Sequence, residues 1–274
     1  MMNQEESPKQ HKPKAEKLWL IVLLVFVSFL LGLWFWLTPS GFWAKLNAVG
    51  YSVCHQISER SFVLGEHQSP LCARCAGMYL GALATLIAHF IWGRQGKFPR
   101  LWVMVLLGIA LAAFAFDGLN SAAESLPFIP SFYQTTNLTR LITGLGMGLL
   151  IGSILSPIFM QTTWVDWIGA SAYDKWYRLP VLVLILCVLG FAIYSQVKPL
   201  FYIFNGLMAL SVVLILWLIH STLAILLTRR ANQAQNWRDL KLPALMGLVM
   251  VLLQIGLISA LRYWLTGTWL PMNH

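Results

Sequence analysis

Runs of about 20 apolar residues, the length a helix needs to cross the hydrocarbon layer, recur along the chain at residues 18–37, 70–92, 101–116, 138–160, 180–197, 200–228 and 243–265. Runs of this length predict an all-α integral membrane protein, a bundle of about seven transmembrane helices. They exclude a barrel, whose strands alternate over about 10 residues. The fifth run is short and only Lys198-Pro199 separates it from the sixth, so these two form a tight hairpin. Between the first and second runs, residues 38–69 place Phe42, Trp43, Leu46, Val49 and Val53 at helical spacing. That spacing predicts a helix lying in the membrane interface. Ser69 and Pro70 then read as the N-cap and first position of the second span.

Composition supports the class: 58% of the residues are hydrophobic, 11% are charged, and mean hydropathy is +0.68, far from a soluble domain. The distribution of Lys and Arg sets the orientation. With the N-terminus in the cytoplasm, the inner segments hold Lys9, Lys12, Lys14 and Lys17, then Arg94, Lys97 and Arg100, then Lys175 and Arg178, then Arg229, Arg230, Arg238 and Lys241. The outer segments hold Lys45, Arg60, Arg74, Arg140 and Lys198, with Arg262 near the outer end of the last span. The C-terminus therefore falls outside. This bias, together with attraction to anionic lipid heads, accounts for the net charge of +9, and no basic stripe interleaved with aromatics points to nucleic acid. Residues 1–17 are polar and rich in Pro and Lys, which predicts a disordered cytoplasmic tail before one transmembrane domain over 18–274. The first span reads as an uncleaved anchor, because it is too long for a signal-peptide core and lacks a small-x-small cleavage site.

Chemistry concentrates between Cys54 and Tyr79, where three of the chain's four cysteines lie. On the second span, Cys72, Cys75 and Tyr79 fall on one helical face, while Arg74, Gly77 and Gly81 share the opposite face, suited to close helix packing. Cys54, His55, Cys72 and Cys75 can form a Cys3His tetrahedron of the kind zinc prefers, with water or His67 as a replacement ligand. The same thiols also suit a redox-active dithiol, since a Cys-x-x-Cys at a helix start gains thiolate character from the helix dipole and a nearby Arg. A structural disulfide tying the loop to the second span is the third reading.

Cys54-His55-Gln56, Arg60-Ser61-Phe62, Gly65 and Pro70-Leu71-Cys72-Ala73-Arg74-Cys75, with Gly77, Tyr79 and Gly81 behind them, resemble the signature of a family of bacterial and archaeal predicted membrane proteins of unknown function. Asp117-Gly118, Thr136-Asn137-Leu138-Thr139-Arg140 and Thr143-Gly144 are similar to that family's second recurrent segment. The resemblance spans about residues 38–155 and implies no activity. Members often carry Pro where Ser58 stands and Thr where Ala76 stands.

The remaining polar groups cluster at the same outer end. Asp117 closes the third span and Arg140 opens the fourth, which predicts an Asp117–Arg140 ion pair or, with Glu124 and Asn137, a small cavity for an anion or cation beside the cysteines. Asn137, Arg140, Gly144, Gly148 and Gly152 share one arc of the fourth span, a polar mouth above a glycine groove. Arg60 and Arg74 are either oxyanion contacts or side chains reaching to the surface. His89 and His220 lie toward the cytoplasmic ends, where interhelical hydrogen bonds are the expected use, and Cys187 reads as an isolated, buried mid-span residue acting as a small hydrophobe. The function expected from these residues is a plasma (cell inner) membrane protein with an extracytoplasmic zinc site. A thiol-disulfide oxidoreductase working with quinone is the competing class. A structural or accessory subunit, or a small-solute transporter, is the remaining alternative.

Overall fold

The structure, a computed structural model, describes residues 13–126, 128 and 130–271. Among the described residues eight α-helices follow in order: α1 (Pro13–Leu37), α2 (Phe42–Tyr51), α3 (Ala73–Trp92), α4 (Leu101–Ala123), α5 (Asn137–Thr163), α6 (Arg178–Tyr194), α7 (Lys198–Leu227) and α8 (Lys241–Thr266). Among the described residues, six helices are long and apolar enough to cross a membrane, covering Glu16–Leu37, Ala73–Trp92, Leu101–Ala123, Asn137–Thr163, Lys198–Leu227 and Trp237–Thr266. The seventh expected span is α6. Its 17 residues at 1.5 Å each reach about 26 Å, just short of a hydrocarbon core of about 30 Å. Ser195, Gln196 and Val197 turn it directly into α7, with Gln196 at φ 48°. Of the expected tail, residues 1–12 lie outside the described residues; residues 13–17 are the start of α1, where Glu16 pairs with Arg230.

Two small sheets supplement the helices. β1 (Ser61–Leu64) and β2 (His67–Cys72) form an antiparallel hairpin pairing Leu64 with His67 and Ser61 with Cys72. β3 (Gln95–Lys97) and β4 (Ile168–Ser171) pair in parallel at the other end of α3 and α5. The hairpin corrects the expected start of the second span. Ser69 and Pro70 lie inside β2, and α3 begins only at Ala73, with Cys72 at the N-cap position. The Ser69 hydroxyl donates to the Leu71 carbonyl at 2.7 Å and accepts from the Phe62 N–H at 3.2 Å. Strand pairing thus takes the hydroxyl that local sequence assigns to a cap.

The bundle centres on α3 and α5, which run parallel and share a surface of small residues. A Cβ on Gly144 would overlap the Arg74 carbonyl, and one on Gly77 would lie 2.5 Å from the Leu141 carbonyl. Only glycine lets the two backbones approach this closely, the geometry expected of the Gly77/Gly81 and Gly144/Gly148/Gly152 faces. Leu80, Leu141, Leu145, Met208 and Val212 build the core that continues from this seam up to Cys54, Phe62 and Leu71.

Candidate metal centre

α2 ends at Tyr51, and the chain bends so that the Cys54 N–H donates to the Gly50 carbonyl at 2.9 Å. Gly50 is required there: a Cβ would overlap the Pro70 carbonyl of β2. Gln56 follows with φ 57° and is 2% exposed. Its side-chain amide donates to the carbonyls of Asn47 and Pro70, each at 2.9 Å, and its own carbonyl accepts from Gln68 Nε2 at 2.6 Å. The left-handed turn aims the Gln56 N–H at Cys54 Sγ (3.4 Å), and the Cys72 N–H reaches the same sulfur at 3.3 Å. Two N–H donors fix the position of this sulfur and pull its pKa down, though the bond its own proton makes to Cys72 outweighs them.

Cys72 ends β2 and Cys75 lies in the first turn of α3, so hairpin and helix deliver two thiols to the sulfur already fixed by α2. The three Sγ atoms lie within 4.8 Å of one another. Tetrahedral zinc with sulfur at about 2.3 Å places ligand sulfurs about 3.8 Å apart, so the cluster fits a thiophilic ion after a small closure. The thiols are already unequal. Hydrogen bonds from the Cys54 and Cys75 side chains hold Cys72 well below the usual thiol range, helped by the Cys75 N–H and the Arg74 charge, while burial opposes. Cys54, whose proton is bound toward Cys72, is pushed up to about 12.

The structure brings together Cys54, Cys72 and Cys75 but not the two histidines. His55 is exposed, and its carbonyl accepts from Arg262 at 3.1 Å. His67 stacks on Trp43 at 4.6 Å between centroids. Tyr79 sits one turn past Cys75 against the same core.

The charged residues pair differently from expectation. Asp117 is 1% exposed and bonds Arg74 instead of Arg140: Arg74 Nε donates to Oδ2 at 3.0 Å, and Nη2 to Oδ2 and to the Asp117 carbonyl. The α3–α5 seam carries Arg74 toward α4, where its Nη1 passes beside Gly118. Tyr133 donates to Asp117 Oδ1 at 2.7 Å, and burial with this bond raises its phenol to about 12. Arg140 takes Glu124 as its counter-ion at 3.6 Å and reaches Ser121, Thr135 and Asn137. Arg60 donates to the Ser121 carbonyl and the Ser125 hydroxyl, closing the C-terminal end of α4. Asn137 donates to the Ser61 carbonyl at 3.3 Å. These contacts lock the hairpin to α4 and α5, although the buried Arg140 Nε is left without a hydrogen-bond partner.

His89 is buried at 2% exposure between Trp92 and Tyr173, and neither ring nitrogen has a hydrogen-bond partner. The interhelical hydrogen bond expected there is not made. His220 Nδ1 instead meets the Leu216 carbonyl of its own helix. Cys187 is exposed on α6. Two residues of the centre escape sequence reading. Gln56 carries a signal only in adjoining Cys54-His55, since nothing in its identity announces a positive φ. For Arg262 only its place near the same end is legible, because 208 positions separate it from Cys54, whose carbonyl it binds at 2.6 Å.

Apolar spans around a buried polar end define a polytopic membrane protein. Residues 54–154 match the family described as predicted membrane protein (DUF2085). An uncharacterised protein of Methanocaldococcus jannaschii is 32% identical over an alignment 160 residues long that covers 53% of this chain and 95% of that protein. An uncharacterised protein of Methanothermobacter thermautotrophicus is 30% identical over 101 residues, 36% of this chain and 82% of that protein. The chain belongs to this family of predicted membrane proteins. The family match ends inside α5, so α6 to α8 lie beyond it. No solved structure matches the chain.

Proposed function

We propose that the protein is a metal-binding integral protein of the plasma (cell inner) membrane, its N-terminus cytoplasmic and its C-terminus outside. In this reading Cys54, Cys72 and Cys75 hold a zinc ion on the extracytoplasmic side. The convergence of the three sulfurs within 4.8 Å carries the reading. The lowered thiol pKa of Cys72 supports it, since a ligating thiol must be ionised. Three protein ligands leave the fourth zinc position to water or a small ligand, the arrangement of sites that are more than structural. His55, next to Cys54, supplies the fourth ligand only if its exposed ring turns inward. The orientation rests on the loop charges, with Arg94, Lys97, Arg100, Lys175 and Arg178 all at the end opposite the cysteines.

The test is the metal content of the full chain, purified under reducing conditions without added chelator. About one zinc per chain is expected, together with its loss in Cys75→Ser. Metal-free protein joined by a disulfide between any two of Cys54, Cys72 and Cys75 would overturn the zinc reading in favour of dithiol chemistry.

A further inference from the structure

Arg262, on α8 near the end of the chain, reaches back over the cysteine segment. Its Nη1 donates to the carbonyls of Tyr51 at 2.8 Å and Cys54 at 2.6 Å, and its Nη2 to that of His55 at 3.1 Å. The guanidinium lies 3.8 Å from the Tyr51 ring centroid. Tyr51 is held in turn by Thr268, whose carbonyl accepts its hydroxyl at 2.7 Å, and by Trp269 at 5.0 Å between centroids. A planar fork suits three converging carbonyls in a way a single ammonium does not. These carbonyls belong to the frayed C-terminal end of α2 and to the loop holding Cys54, groups that no helix satisfies. Among the described residues no carboxylate pairs with Arg262. Arg74, the other cation beside the cysteines, is already neutralised by Asp117.

We propose that Arg262 is a positioning residue of the metal centre: its fork fixes the Cys54 backbone so that Sγ meets Cys72 and Cys75, and its unpaired charge offsets the centre's own. Three thiolates and one divalent cation sum to a single negative charge, and an unpaired guanidinium against the Cys54 carbonyl stabilises it. The inference rests on the metal reading above. It adds that the site is completed from outside the family-matched segment, by the last helix.

The experiment uses the full chain in detergent or nanodiscs. Zinc affinity is measured by competition with a chromogenic chelator, and the cobalt-loaded protein is read by its thiolate charge-transfer spectrum. Arg262→Gln is expected to weaken zinc binding by about 10–100-fold, the usual effect of losing a group that orients a ligand. Arg262→Lys, which keeps the charge but not the fork, is expected to fall between the two with an altered cobalt spectrum. If the Gln variant does not fold, the Lys variant decides alone. Wild-type affinity, within about twofold, and an unchanged spectrum in the Lys variant overturn the inference and leave the metal reading standing. Wild-type protein that takes up neither metal overturns the metal reading, and the inference falls with it.

Discussion

Asp117→Asn tests the central electrostatic feature of the cysteine end of the bundle. The carboxylate is 1% exposed and accepts from Arg74, Tyr133 and Thr143, whereas the Arg74 side chain is 18% exposed. The amide keeps the shape but removes the charge, leaving a guanidinium that is largely shut off from water. Breaking a buried pair from one side costs about 3–5 kcal/mol. The partial exposure of Arg74 favours the lower end, so about 3 kcal/mol is expected. At about 2–4 °C per kcal/mol for a chain of this size, the melting temperature should fall by about 6–12 °C. The measurement is thermal unfolding of the purified protein, scanned at fixed rate because membrane proteins often unfold irreversibly. The double variant Arg74→Met/Asp117→Leu removes both charges and should recover most of the loss, as apolar replacements of buried pairs do. A single-variant shift under about 2 °C, or a double variant no better than the single one, would refute a buried pair here.

Other consequences follow from the packing, the thiols and the loop charges. Gly144→Val places a side chain against the Arg74 carbonyl; it should separate α3 from α5, lower the melting temperature by more than Asp117→Asn does, and abolish metal binding. A folded, metal-loaded Gly144→Val protein would contradict the close seam. In metal-free protein Cys72, whose thiol is held below the usual range, should alkylate first, and its rate should persist below the pH of ordinary thiols near 8.5 and fall only as pH drops through its own lowered pKa. Cys54, at about 12, should stay a thiol and lag; peptide mapping across pH 6–9, about the ordinary thiol range, that finds Cys54 modified first rejects this order. A membrane-impermeant thiol reagent on intact, reduced and chelator-treated cells should reach Cys72. Labelling confined to lysed cells reverses the assigned orientation.

Apolar runs and glycine faces were legible in the sequence because each follows from a period of one helix. The spans, the helix α2 and the α3–α5 seam depend on spacing that a reader can count, and α6 fell short only in length. What a single segment does not encode is its partner. Ser69 and Pro70 carry a good local cap signal, yet the Phe62 N–H and the strand pairing of β1 with β2 take them into a hairpin. Asp117 and Arg140 are opposite charges at the facing ends of successive spans by sequence logic, but the choice between Arg74 and Arg140 depends on which side of α4 each helix presents.

The same distinction explains why the cysteines were legible and their supports were not. Soft ligands at short spacing are rare in an apolar chain, so Cys54, Cys72 and Cys75 stand out by residue type and spacing alone. Holding their sulfurs together falls to groups whose chemistry is ordinary. Gln56 contributes a backbone angle and two amide hydrogen bonds, and Gly50 contributes only the absence of a Cβ where the Pro70 carbonyl passes. Each acts on the backbone that carries a thiol and none on the thiol through its own side chain. Disturbing any one of them therefore moves the sulfur positions while leaving all three cysteines in place, which makes Gly50→Ala a sharper probe of the centre's geometry than removal of a ligand. Its expected outcome is folded helices, intact thiols and lost metal, measured on the same purified protein by circular dichroism, thiol count and zinc content. Retained zinc in that variant would show that the α2–β2 contact does not set the position of Cys54.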